Sequence, residues 1–136
     1  MITKLLLNTD GGSRGNPGPA AYGFVVYDHA GKVLEKCGNY LGTATNNIAE
    51  YEGLLAGVRW VVDHQPGAEL VINMDSLLIV NQIKGLFKIK NPGLLPKYQE
   101  VRGILAQLPD WSILYVPRAQ NSVADSLVNQ ALDSQQ

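Results

Sequence analysis

Four acidic side chains fall where the chain passes from one apolar pattern to the next, and their type and spacing suit one chemistry. Asp10 precedes Gly11-Gly12 at the end of an apolar run, and Asp75 closes another. Glu50 and Asp125 each lie at the start of a helical pattern. Singly, each has an ordinary structural use. Asp10 suits a turn, Asp75 an N-cap, and Asn47-x-x-Glu50 and Ser122-x-x-Asp125 read as capping boxes. As a set they imply more. In an open sheet, strand ends gather on one side and helix N-termini return to it, so four carboxylates could meet in one cleft. Such a cluster repels itself and raises its own pKa values, which divalent cations relieve. An all-oxygen set suits Mg²⁺ or Mn²⁺ rather than Zn²⁺. Two such ions ~4 Å apart clamp a phosphodiester, so the chemistry implied is phosphodiester hydrolysis.

The elements that must position these groups follow from periodicity and punctuation. Residues 2–9 read as a buried strand, Ser13 to Pro19 as a loop, Ala20 to Tyr27 as a second strand, and Lys32 to Leu41 as a third after a turn at 28–31. A long helix opens at Thr45-Asn46-Asn47 and runs to about His64, with apolar residues at three- and four-residue steps, until Pro66-Gly67 ends it. Glu69 to Met74 is a fourth strand. Asp75-Ser76 caps a helix to about Lys84, Asn91-Pro92-Gly93 is a break, and Leu95 to Leu108 is a further helix. Trp111 to Val116 is a fifth strand, Pro117 to Asn121 a loop, and Ser122 to Leu132 the last helix, with Asp133 to Gln136 frayed. This order predicts an α/β fold with a five-stranded mixed sheet, its first three strands an antiparallel meander and the rest parallel.

The bulk properties narrow the field. The 136 residues suit one domain spanning 1–136. With 11 basic and 12 acidic side chains the net charge is -1, so nucleic-acid binding would rest on local patches or on metal ions rather than on overall charge. The single cysteine, Cys37, excludes an intrachain disulfide and the cysteine-rich metal spacings. No stretch approaches the ~20 apolar residues of a membrane span, and the N-terminal apolar run is too short for a signal peptide. The expectation is a cytoplasmic protein. Met1 and the polar tail favour a free-standing chain over a domain cut from a reverse transcriptase.

Four motifs in order give a resemblance to a known family. Thr9-Asp10-Gly11-Gly12-Ser13-Arg14-Gly15-Asn16-Pro17-Gly18-Pro19-Ala20 resembles the first signature of ribonuclease H, and Thr45-Asn46-Asn47-Ile48-Ala49-Glu50-Tyr51 the second. Met74-Asp75-Ser76-Leu77-Leu78-Ile79-Val80 with Gly85 resembles the third, and the segment from Val116 to Leu127 the fourth. The resemblance implies a ribonuclease H-like fold with helices on both sheet faces. The implied activity is hydrolysis of the RNA strand of an RNA–DNA hybrid. It also implies Asp10, Glu50, Asp75 and Asp125 as catalytic ligands of two Mg²⁺ or Mn²⁺ ions with substrate bound. Asn16 and Asn47 match positions that contact the RNA strand and its 2′-hydroxyls, the groups that distinguish RNA from DNA. Thr45 and Asn46 match positions near the hybrid's backbone. Gly11, Gly12, Ser13, Arg14, Arg118 and Asn121 complete the implied substrate-binding set. The family habit is a monomer, with no obligate protein partner and no membrane.

Two departures place the chain with the shorter bacterial and archaeal members. Many relatives carry a histidine in the loop before the last carboxylate, whereas Pro117 to Ser122 holds none. His29 and His64 fall in a turn and at a helix end, where surface positions are expected. Arg118 lies in the right loop to steady a phosphate, but cannot act as a general base near neutral pH. Larger relatives also have a basic, Trp-containing protrusion. Here Gly85 to Gly93 offers Lys88 and Lys90, with Lys84 and Lys97 alongside, and these read equally as solvated side chains or as hybrid contacts. Trp60 and Trp111 sit in apolar patterns and are expected in the core. The rival readings are a related nuclease, such as an integrase or resolvase, and a non-catalytic nucleic-acid-binding module. The intact carboxylates weigh against the latter.

Overall fold

The computed structural model describes residues 3–135. Five strands form one mixed sheet: β1 (Lys4–Ser13), β2 (Gly18–Asp28), β3 (Val33–Ala44), β4 (Glu69–Met74) and β5 (Asp110–Tyr115), in the order β3-β2-β1-β4-β5. The first three pair antiparallel, and β4 joins β1 and β5 in parallel. Four α-helices connect or cover them: α1 (Asn46–His64), α2 (Leu77–Ile83), α3 (Leu95–Leu105) and α4 (Ser122–Asp133). The predicted class and strand directions are therefore the ones observed. Residue 2 of the first predicted strand and Gln136 of the predicted frayed end lie outside the described residues.

The period-2 pattern of β1 and β4 builds the main core. Leu5, Leu7, Leu70, Ile72 and Met74 point to one face and meet Tyr51, Leu54, Val58 and Val61 of α1. Helix α4 covers the opposite face through a smaller cluster of Ala21, Val128 and Leu132. Glycines set how closely helices and sheet approach. A Cβ on Gly23 would lie 2.6 Å from the carbonyl oxygen of Ala124, and one on Gly38 would lie 2.7 Å from that of Leu127, so α4 rests directly on strand backbone.

The strands run longer than the sequence pattern indicates. β1 continues through Gly11, Gly12 and Ser13, which pair with Tyr22, Ala21 and Ala20. Turn-forming residues are held extended here because the neighbouring strand supplies their hydrogen bonds. The predicted loop from Ser13 to Pro19 shrinks accordingly. α3 stops at Leu105 rather than Leu108. Trp60 and Trp111 are half-buried at the rim of the core rather than inside it. Trp60 stacks on His64 with ring centroids 4.3 Å apart, and Trp111 lies 5.1 Å beneath the Arg102 guanidinium. His29 and His64 are both exposed, as expected. Among the described residues no helix is long and apolar enough to cross a membrane.

The glycine contacts make opposite predictions at two sites. Gly23→Ala forces β2 and α4 apart and is expected to destabilise by about 1–3 kcal/mol. Gly103→Ala lies inside α3 with nothing near its Cβ position, and is expected to stabilise by about 0.5–1 kcal/mol. Urea denaturation of both variants checks the pair.

Candidate active site

The four predicted carboxylates are delivered by four elements, and the local structure leaves them free of the capping work their motifs suggest. Thr45, not Asn47, caps α1: its Oγ1 accepts the Ile48 amide at 3.2 Å. Glu50 lies beyond the first turn, and its Oε1 accepts instead from the Gly11 amide of β1 at 2.6 Å. Ser76, not Asp75, caps α2 through Oγ, which accepts from the Ile79 amide at 3.3 Å. Asp125 sits in the first turn of α4, where no side chain caps the helix. Asp10 is not at the end of its strand but within β1, paired with Gly23.

Three of the four carboxylates meet. One oxygen from each of Asp10, Glu50 and Asp75 lies within 4.8 Å of the others. Asp10 and Glu50 are buried, at 8% and 7% exposure, and Asp75 is half-buried. Burial, and then the charge of Asp75, push the Asp10 carboxyl up to about 7, with Asp125 adding a smaller push. Glu50 is held well above the ordinary carboxylate range, first by burial and then by the charge of Asp10. Asp125 faces the same cleft from α4, and its Oδ1 lies 3.4 Å from Nη2 of Arg118, which projects into solvent.

The cleft has a volume of about 520 Å³. β1 lines it with Asp10 to Ser13, followed by Arg14, and α1 lines it with Asn46, Asn47 and Glu50. α4 contributes a face bearing Asp125, Val128, Asn129 and Leu132, and Asp75, Ser76, Tyr115 and Arg118 complete the lining. Ser76, Tyr115 and Asn129 were not singled out from sequence. Asn129 stands one helical turn beyond Asp125, and Tyr115 ends β5 beside Met74, so helical periodicity and the strand-end rule would have found both.

Three residues of the implied binding set stand elsewhere. Asn121 does not reach the cleft: it is fully buried, and its Nδ2 donates to the carbonyl of Thr9 at 2.9 Å. This ties the loop that carries Arg118, a short 3-10 turn over Arg118–Asn121, to the strand that carries Asp10. Asn16 supports the rim, its Oδ1 accepting from the Asn46 amide at 3.0 Å, while Thr45 serves as the cap. Asn46 Oδ1 accepts from both the amide and the hydroxyl of Ser13, at 2.8 and 3.1 Å, which leaves its Nδ2 free to donate. A second groove adjoins at Asn47 and is lined by Leu86, Phe87, Lys88, Lys90 and Asn91. Lys97 is not part of it, being paired with Glu52.

The donor set fits hard divalent cations. Its groups are all carboxylate oxygens, mutually close and partly desolvated, and the raised proton affinity of Asp10 and Glu50 marks a pair that lacks compensating positive charge.

Strand order, directions and the carboxylate cluster together define a ribonuclease H-like domain, and comparison with known proteins agrees. Residues 8–131 match the family described as reverse transcriptase-like. The bifunctional protein Rv2228c of Mycobacterium tuberculosis is 46% identical over 134 residues, covering 96% of this chain and 36% of that protein. This chain thus spans about a third of the length of that relative. Ribonuclease HI of Halobacterium salinarum is 42% identical over 124 residues, covering 91% of this chain and 62% of that protein. The crystal structure of RNase H1 from Halobacterium salinarum superposes with a TM-score of 0.92 at 40% identity, covering 96% and 98% of the two chains. LC11-RNase H1, solved in complex with an RNA/DNA hybrid, gives a TM-score of 0.91 at 38% identity, covering 96% and 98%. The chain belongs to the ribonuclease H family.

The buried carboxylates tie stability to pH and to metal. A carboxyl whose folded pKa is raised contributes stability that is present below its unfolded value and is lost as pH rises through the folded value. For Asp10 that window runs from the ordinary 3.8 to about 7. Metal-free protein is therefore expected to melt lower at pH 8 than at pH 5. Asp10→Asn is expected to melt higher than the parent at pH 8 in chelator, by roughly 3–5 °C per kcal/mol relieved. Mg²⁺ or Mn²⁺ should raise the parent's midpoint more than the variant's. Thermal melts with and without chelator measure all three effects.

Proposed function

We propose that this chain hydrolyses the RNA strand of RNA–DNA hybrids, with Asp10, Glu50, Asp75 and Asp125 holding two Mg²⁺ or Mn²⁺ ions when substrate is bound. The observation that carries this reading is the convergence of Asp10, Glu50 and Asp75 oxygens within 4.8 Å in an open polar cleft. The family membership, and the hybrid bound to LC11-RNase H1, support the substrate class. When bound, the cations supply the positive charge that favours attack of water on the phosphodiester and departure of the leaving oxygen.

The protein groups divide the remaining work. Asp10 and Glu50, fixed on β1 and α1, form the rigid side of the ligand set, and Asp125 completes it from α4. Arg118, beside Asp125 and projecting into solvent, steadies a non-bridging phosphate oxygen. Along the α1 rim, the free Nδ2 of Asn46 and the side chain of Asn47 offer hydrogen bonds to the minor-groove face of the hybrid, where 2′-hydroxyls mark the RNA strand. Thr45 uses its oxygen to cap α1, which leaves its own hydroxyl proton for a backbone phosphate. Lys88 and Lys90, in the groove that meets the cleft at Asn47, extend the surface available to the second strand.

An end-labelled RNA–DNA hybrid, incubated with Mg²⁺ and separately with Mn²⁺, tests the activity. The expected result is cleavage of the RNA strand alone, abolished by chelator and by Asp10→Asn, with single-stranded RNA and duplex DNA left intact. A folded protein that binds hybrid but never cuts it with either metal would instead favour the binding-module reading. The lysines are tested separately. Lys88→Ala with Lys90→Ala is expected to weaken hybrid binding and to reduce the salt slope of log Kd by about 1–2. An unchanged slope would assign both to solvated surface.

A further inference from the structure

At the C-terminal end of α4, eight residues beyond Asp125, Oδ1 of Asp133 lies 2.6 Å from Nη2 of Arg14, joining residues 119 positions apart. We propose that this pair forms a remote phosphate subsite for the RNA strand, in which Asp133 positions Arg14. This rests on the hybrid-cleaving reading above and extends it along the cleft.

Arg14 lines the cleft, and both its backbone and its guanidinium are constrained. Its amide donates to the carbonyl of Pro19 at 2.8 Å. The chain also folds tightly against its carbonyl, since a Cβ at Gly18 would sit 2.4 Å from that oxygen. At the other end, one guanidinium nitrogen is engaged by Asp133. A guanidinium carries five N–H donors, so the pair leaves most of them for an oxyanion in the cleft. Asp133 is the last residue of α4, where a carboxylate meets the negative end of the helix dipole. No basic residue of α4 lies in that turn, and Arg14 supplies the compensating charge from β1's end of the cleft.

The placement gives the pair a distance from the chemistry. Asp125 and Asp133 stand on one helix, so eight residues at 1.5 Å rise separate them by roughly 12 Å. The α4 face between them, with Val128, Asn129 and Leu132, is cleft wall throughout. A strand whose scissile phosphate lies at Asp10 can therefore follow this wall and bring a later phosphate to Arg14. An exposed ion pair of this kind, with side chains 37% and 65% exposed, adds little to stability by itself, which makes its role separable from folding.

The experiment compares the parent with Arg14→Ala, Asp133→Asn and the exchange Arg14→Asp with Asp133→Arg, on a long hybrid and on one trimmed so that neither end extends past roughly 12 Å from the cut. Cleavage kinetics are read in Mg²⁺, hybrid affinity by fluorescence anisotropy in chelator, and stability by thermal melts. On the long hybrid, Arg14→Ala should raise KM and Kd severalfold with kcat nearly unchanged, and Asp133→Asn should do so more weakly. All three variants should keep the parent's melting midpoint, and the exchange should not restore KM. On the trimmed hybrid these differences should vanish. The subsite is overturned if the exchange restores KM, if the effect is equally large on the trimmed hybrid, or if Asp133→Asn lowers KM, the mark of a carboxylate that competes with phosphate. A parent that cuts and binds hybrid while the variants match it refutes the subsite alone. A parent that neither cuts nor binds refutes the hybrid reading and the subsite with it.

Discussion

The site depends on how closely β1 can approach α1. A Cβ on Gly11 would lie 2.3 Å from the carbonyl carbon of Ala49 and 2.4 Å from the nitrogen of Glu50, so no larger residue fits there without separating strand from helix. The contact continues along α1. Gly53 faces the carbonyl of Asp10, and Gly57 receives the side chain of Leu7. This seam of missing side chains lets the Gly11 amide reach Glu50 and keeps Asp10 and Glu50 in one buried pair. The same closeness desolvates them, which raises their proton affinity and leaves a demand for positive charge. Packing and chemistry at this seam are therefore one constraint.

Around the seam, structural duties are handed to neighbouring residues. Thr45 and Ser76 cap the helices whose motifs could have used Glu50 and Asp75. Asn121 uses its amide to hold the Arg118 loop against β1 rather than to meet solvent. A carboxylate occupied in a cap is already satisfied by backbone amides and has less to offer a cation. Relieving Asp75 of that duty leaves its oxygens to the cluster.

The near-neutral net charge is consistent with a nucleic-acid enzyme once charge is considered locally. Acidic groups converge in the cleft, while the more exposed Arg14 and Arg118 stand at its edge and Lys88 and Lys90 line the adjoining groove. Attraction for a polyanion is thus confined to the rims. Lys97, which the sequence places among the groove's basic residues, is withdrawn from it by Glu52.

The sequence by itself determined the strand and helix order, the sheet's mixed directions and the identity of the acidic residues. Those follow from local periodicity, from turn and cap residues, and from motifs that are contiguous in the chain. Only the tertiary structure decided which carboxylates meet. Asp10, Glu50 and Asp75 converge while Asp125 approaches across the cleft, because their separation depends on the glycine seam and on where α4 settles over Gly23 and Gly38. The same holds for Asn121, whose motif position is shared with cleft residues although its side chain points into the core. It holds too for Asp133, which the sequence assigns to a frayed end but which closes α4 and is brought by the fold to Arg14. Local pattern specifies an element and its residues. Direction, burial and partner are set by what other segments pack against it, and those segments lie far away along the chain.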